Sequence, residues 1–358
     1  MHIIVLMLVV TSISTIFARD NGQSGKKYRV AGIAFYNLEN LFDTINNNGR
    51  YDLEFTPDGA RKWNTVKYRS KISNMARVFT SMPTATTPFG PAVIGVSEVE
   101  NITVLNDLVA EVDKQLVESG HRPWNLQIVH HDSPDRRGID VGFLYNPAQF
   151  TYLSHEIYPL KIVGQDNLRT RDQLCVTGLI AGDTISVIVN HWPSRLGGQE
   201  QSSPLREAAA QLCKDIATGI WKSHPQRGVI IMGDLNDDPQ DTSCAKVLGA
   251  RKKPDSVIPH GFYNPFWSVL DKGVGTLAYN GSWNLFDQII VSGTLLERNN
   301  PAGLFYKSCR VLNFNFLRVQ DGDRQGGPLR TYSGGIFLNG YSDHFPTEIF
   351  LVKERKND

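Results

Sequence analysis

Two β-sheets packed face to face, with helices on their outer sides, are the α/β architecture this chain predicts. Apolar runs of strand length dominate it, and several are apolar throughout rather than alternating. Only a few longer stretches carry helical periodicity. A run without alternation is a strand covered on both faces, and two sheets that cover each other beneath external helices meet that demand for so many strands.

The first run, YRVAGIAFYN, is followed by a helical stretch from Lys67 to Thr80 that sets Ile72, Met75 and Phe79 on one face. PAVIGVSEV, rich in β-branched residues, precedes a second helical pattern from Thr103 to Ser119. A long β-rich segment comes next: NLQIVHH, IDVGFLYN, FTYLSHEIYPL, LCVTGLIAG and TISVIVNHW. Apolar spacing then marks a third helix from Leu205 to Lys222, with Ser203 and Pro204 as its cap-then-proline start. GVIIMGDL, FDQIIVS, CRVLNFN and TEIFLVK complete the strands.

At 358 residues and 41% hydrophobic content the chain can bury a large core, and no linker-like segment or repeat divides it. The domain is expected over 27–355. A net charge of +1 excludes a strongly basic nucleic-acid coat, although a local positive groove is all an enzyme needs. Residues 1–18 form an apolar stretch ending at Ala18 and read as a signal peptide, so the chain is expected to be exported. No later stretch reaches the ~18 apolar residues of a membrane span. Cys175, Cys213, Cys244 and Cys309 lack zinc-knuckle spacing, and an exported chain could pair them as disulfides or keep them as buried thiols.

The chemistry lies at the ends of the apolar runs. Asn37, Glu98, His191, Asp234 with Asn236, Asp287, and Asp343 with His344 each close or open one. Carboxylates, amides and imidazoles there suit a hard divalent cation beside a phosphate. Residues two apart in a strand share a face, so Asp234 and Asn236 reach one ligand, unless GDLNDDP is a turn. Glu98 is the metal candidate because it comes first after its run, with Glu100 and Asn101 as alternative registers. Asp287 is placed to orient His344 and keep it cationic. Arg171 and Arg195 lead the arginine candidates for phosphate, ahead of Arg136, Arg137 and Arg169.

The ordered set NLEN, SEVEN, NHWPSR, GDLND, WNLFDQIIVS and YSDHFP resembles the endonuclease/exonuclease/phosphatase superfamily, in particular its deoxyribonuclease-like and exported bacterial members. The resemblance runs from Asn37 to His344. It implies a four-layered αββα sandwich of two mixed sheets flanked by helices. It also implies Mg²⁺, with Mn²⁺ or Ca²⁺ as substitutes, on Asn37, Glu98 and Asp343. Asp234 would activate water, and Asn236, His344 and His191 would steady phosphate charge, with Asp287 as the partner of His344. A metal-dependent phosphoric ester hydrolase follows, acting on a phosphodiester with nucleic acid as the leading substrate. A phosphatase, a sphingomyelinase-like lipid phosphodiesterase, and a secreted binding protein without turnover remain alternatives. No stable protein partner is inferred.

Overall fold

The computed structural model describes residues 27–46, 53–279 and 281–355; the expected export segment, 1–18, lies outside the described residues. In chain order the strands are β1 (Tyr28–Leu41), β2 (Val93–Val99), β3 (Gln127–His130), β4 (Asp140–Tyr145), β5 (Phe150–Tyr158), β6 (Gln173–Ile180), β7 (Asp183–His191) and β8 (Gly228–Asp234). The short β9 (Ala250–Arg251), β10 (Phe262–Tyr263), β11 (Leu277–Tyr279) and β12 (Ser282–Asn284) follow. Then come β13 (Asp287–Ser292), β14 (Phe305–Val311), β15 (Tyr332–Ser333), β16 (Ile336–Phe337) and β17 (Thr347–Glu354). The long helices are α1 (Thr65–Thr80), α2 (Ile102–Glu118) and α3 (Gln199–Ser223).

One sheet has the order β14-β17-β1-β2-β4-β3 and the other β5-β6-β7-β8-β13-β10-β9. Both are mixed: β1 and β2 run parallel, as do β7 and β8, while β17 pairs antiparallel with β1 and β13 antiparallel with β8. Period-two alternation assigns the layers. Ile33 and Phe35 of β1 face Val187 and Val189 of β7 and Ile230 and Met232 of β8 in the inter-sheet core. Ala34, Tyr36 and Leu38 point the other way, onto Ile72, Met75 and Phe79 of α1 and onto α2. Ile188, Val229 and Ile231 pack on Ala209, Cys213 and Ile216 of α3. The result is the αββα sandwich.

Every expected strand coincides with an observed one, although CRVLNFN is displaced. β14 begins at Phe305 and ends at Val311, because its pairing with β17 starts at Phe305 opposite Val352. The two-residue strands lack any periodic signal to read. The third helix begins earlier than its proline suggested, at Gln199, so Pro204 lies inside it. Its opening turn is held by Ser202 Oγ donating to the Gly198 carbonyl (2.6 Å) and by Arg206 Nη2 donating to the Gln199 carbonyl (3.0 Å), bonds that do not need the missing proline N–H. All four cysteines are free thiols, three of them buried.

Candidate active site

The alternation that builds the inter-sheet core also builds the site. Asn37 continues the inward face of Ile33 and Phe35, His191 that of Val187 and Val189, and Asp234 that of Ile230 and Met232. In the pairing of β7 with β8, His191 stands opposite Asp234; in that of β8 with antiparallel β13, Asp234 stands opposite Asp287. Three strands therefore deliver three polar side chains in one row. The end of the inter-sheet layer is where apolar packing stops and these groups begin.

Backbone irregularities aim the rest. Glu98 sits at φ 59°, at a register shift between β2 and β4, a bulge that redirects its side chain from the strand alternation. Glu39, Asn40 and Asn236 also hold left-handed backbones, at φ 48°, 53° and 51°. Four such residues around one mouth mark strain concentrated where function needs it. Gly233, at φ 154°, lets β8 approach β7: a Cβ there would stand 2.2 Å from the Asn190 carbonyl oxygen.

Asp234 is the hub. Its Oδ2 accepts from Asn37 Nδ2 at 2.9 Å and lies 3.7 Å from His191 Nε2 and 3.8 Å from His344 Nε2. Its Oδ1 accepts from the Asn236 backbone N–H at 3.0 Å. Asp287 Oδ2 meets His344 Nδ1 at 2.7 Å, and Asp343 Oδ1 lies 3.9 Å from His344 Nε2. On the other side Glu98 Oε1 is 4.0 Å from His191 Nε2, and Glu98 Oε2 accepts from the Asn40 N–H at 2.9 Å. Glu98 and Asp343 thus flank the same hub.

Electrostatics separates the two imidazoles. Burial opposes a charge on His344, but Asp287, Asp234 and Asp343 together overcome it and hold its pKa well above the usual value. Burial lowers the pKa of His191, and Arg171 and Arg137 push it further the same way, so this ring is neutral. Burial lifts Asp234 to about 6, with Asp287 adding to the rise and His344 opposing it.

The residues from 32 to 353 match the model of the Endonuclease/Exonuclease/phosphatase family. The chain belongs to the endonuclease/exonuclease/phosphatase family. Members of this family are metal-dependent phosphoesterases. Solved structures share the fold. Humanized TDP2 from D. rerio is 14% identical, covering 90% of this chain and 99% of its own, with a TM-score of 0.52. The mannosyl-6-phosphatase Bt3783 from Bacteroides thetaiotaomicron is 15% identical over 90% of this chain and 99% of its own (TM-score 0.53). An endonuclease/exonuclease/phosphatase family protein from the same organism is 15% identical over 92% and 100%, also at 0.53. No curated protein sequence matches the chain significantly.

The two arginines expected on the phosphate of this family member are committed elsewhere. Arg171 donates to the His191 carbonyl (3.1 Å), the Trp192 carbonyl (2.7 Å) and Asp135 Oδ2 (2.9 Å), which fixes the loop behind His191. Arg195 donates to the Asn236 carbonyl (2.8 Å) and Asp241 Oδ2 (2.7 Å) and stacks over Phe286, 4.4 Å from the ring centroid. The arginines that reach site carboxylates are Arg137, on Glu98 Oε2 at 3.1 Å, and Arg330, on Asp343 Oδ2 at 2.5 Å. Asn236 lies past the end of β8 in a turn, and its Nδ2 donates to the Trp192 carbonyl at 2.9 Å. Of the alternative registers, Glu100 accepts from the Asp43 N–H, and Asn101 caps α2.

Sequence reasoning missed Glu39. Its carboxylate accepts the Thr331 N–H at 2.6 Å and lies 3.8 Å from the fully buried Lys71 ammonium. Burial raises Glu39 to about 7 and lowers Lys71 to about 8. Glu39 stands two residues after Asn37 in NLEN, but its left-handed backbone, at the register shift between Asn37 and Leu41, breaks the strand alternation from which its direction could have been read.

The donor set fits a hard divalent cation. Glu98 and Asp343 bring carboxylates to either side of the hub, the oxygen chemistry that Mg²⁺ and Ca²⁺ prefer, while Asn37 Oδ1 accepts the Glu39 N–H at 2.9 Å. Ligand atoms of Asp234, Asp287 and His344 lie within 4.8 Å of one another. Of these three, His344 already sets its Nδ1 against Asp287 Oδ2, which leaves its Nε2 facing Asp234.

Proposed function

We propose that this family member hydrolyses a phosphodiester with the help of a divalent cation, Mg²⁺ foremost, and that its substrate is a nucleic acid. The observation that supports the reading most strongly is the row His191–Asp234–Asp287 with His344 beside it, a base and two charge-steadying imidazoles on one buried surface. Asn37 and the Asn236 N–H fix the Asp234 carboxylate from either side, so it presents a fixed lone pair to water. Asp234 takes the proton as the water oxygen bonds to phosphorus; the opposite P–O ester bond breaks, and the leaving oxygen departs to be protonated from solvent. Cationic His344 and the neutral Nε2–H of His191 donate to the phosphoryl oxygens as charge grows on them. Glu98, Asp343 and Asn37 would hold the cation, which would supply Lewis-acid stabilisation of that charge. Export directed by residues 1–18 belongs to the same proposal, which places the substrate outside the cytoplasm.

A panel of plasmid DNA, RNA, inositol phosphates, sphingomyelin and a bis-aryl phosphate, each with Mg²⁺ and with EDTA, tests the reading. DNA cleavage that requires Mg²⁺ and is lost in Asp234→Asn and His344→Ala supports the nuclease. Turnover of a monoester or lipid alone replaces the substrate, and silence on every compound replaces the enzyme with a binding protein.

A further inference from the structure

Where the start of α3 meets the loops after β7 and β8 lies a charged pair that the proposed chemistry does not use. Arg206 of α3 is fully buried, and its Nε stands 2.7 Å from Oδ1 of Asp237, itself 1% exposed. Asp237 comes directly after Asn236, so the pair sits one residue from the site. Arg195 Nη2 donates to the same Oδ1 at 3.3 Å, and Ser243 Oγ donates to Oδ2 at 2.7 Å. The Arg206 guanidinium reaches the His191 loop as well, with Nη1 against the Pro193 and Ser194 carbonyls at 3.5 and 3.4 Å. Asp237 carries the link on to β13, because its carbonyl accepts from Gln288 Nε2 at 2.7 Å, next to Asp287. One ion pair thus joins the His191 loop, the turn after Asp234 and the strand of Asp287. The bonds that aim the site groups lie beside it: the Trp192 N–H donates to the Asp234 carbonyl at 3.0 Å, and the Asn236 N–H to Asp234 Oδ1.

We infer that Arg206 and Asp237 are positioning residues: touching no substrate, they hold His191 and Asn236 in register with the Asp234 carboxylate. A buried ion pair is weak evidence for stability, since desolvation offsets its attraction and an apolar pair of similar shape is often as stable. Beside a reacting centre its use is placement, because a displacement of about 1 Å can cost about 10²-fold in rate. The planar guanidinium suits that use, since its fork meets a carboxylate and two carbonyls in fixed directions. The role rests on the hydrolase reading for its effect on rate, and on the ion pair alone for its effect on geometry.

Asp237→Asn leaves the Arg206 charge buried without its carboxylate and should lower the urea midpoint. Arg206→Met added to it removes both charges, keeps an acceptor for Ser243 Oγ, and should regain most of that midpoint. On a bis-aryl phosphate with Mg²⁺, kcat of the double variant should still stand about 10²-fold below wild type with KM little changed, a split that a purely structural pair would not produce. Arg206→Lys keeps the charge and loses the fork, and should show the same loss of kcat in smaller degree. Hydrogen exchange reads the geometry without turnover. The N–H groups of Trp192 and Asn236 should exchange about tenfold faster or more in the double variant and in Arg206→Lys, while that of Ile231 within β8 changes less. Wild-type kcat in the double variant overturns the proposal, as does unchanged exchange at both N–H groups. Should the wild-type protein turn over no substrate, the hydrolase reading falls and the exchange rates still decide the pair.

Discussion

Replacing Asp287 by Asn removes the carboxylate that meets the His344 ring. The carboxylate is fully buried and meets the equally enclosed His344 Nδ1 at 2.7 Å. Removing one partner of a buried charge pair costs about 3–5 kcal/mol of stability. The sign with pH follows from His344, whose pKa in the folded protein lies above its ordinary value of 6.5. Its contribution to stability is complete below that ordinary value and is lost as pH rises through the folded one. The gap between wild type and Asp287→Asn should therefore be widest in acid and narrow in alkali. With its strongest charge partner gone, burial drives the imidazole toward neutrality, so the alkaline limb of the pH–rate profile should move to lower pH. Loss of a charged donor at the phosphoryl group should lower kcat by roughly 10²–10³. Urea unfolding across pH, NMR titration of the His344 ring and the rate profile check these outcomes together. A stability gap independent of pH, with the alkaline limb unmoved, would mean that Asp287 does not keep His344 charged.

Three other outcomes follow from the same geometry. Burial lifts the Asp234 carboxyl to about 6, and a base must be deprotonated, so kcat/KM should fall tenfold per unit as pH drops below about 6, read with a bis-aryl phosphate. Lys71→Met should cost about 3–5 kcal/mol, because it strands the buried Glu39 carboxylate, and Glu39→Gln added to it should recover part of the loss in a double-mutant cycle. Gly233→Ala should cost about 1–3 kcal/mol in denaturant unfolding and lower activity, since the new Cβ forces β8 away from the Asn190 carbonyl beside Asp234.

The sheets were legible because runs such as VIIMGD and ISVIVNH are buried on both faces and leave no competing helical period. The same runs exposed the site, since a polar residue ending an inward face must lie where the two sheets part. What stayed hidden depended on contacts that no local pattern encodes. Arg137 and Arg171 belong to similar Arg-rich loops, yet one reaches Glu98 while the other is drawn inward by three acceptors on Asp135, His191 and Trp192. Arg330 meets Asp343, and Thr331 meets Glu39, through a loop whose placement is fixed by buried Lys71 on Thr331 and the Tyr341 carbonyl. Pro204 misled because side-chain bonds from Ser202 and Arg206 hold a helical turn ahead of it.

Glu98 and Asp343, separated by most of the chain, are proposed to hold one ion at the mouth between the sheets. Calorimetric titration of Mn²⁺ into the wild-type protein, Glu98→Gln and Asp343→Asn tests it without any substrate. One saturable site is expected in wild type, weakened at least tenfold by either substitution. Undiminished binding in both variants would contradict it.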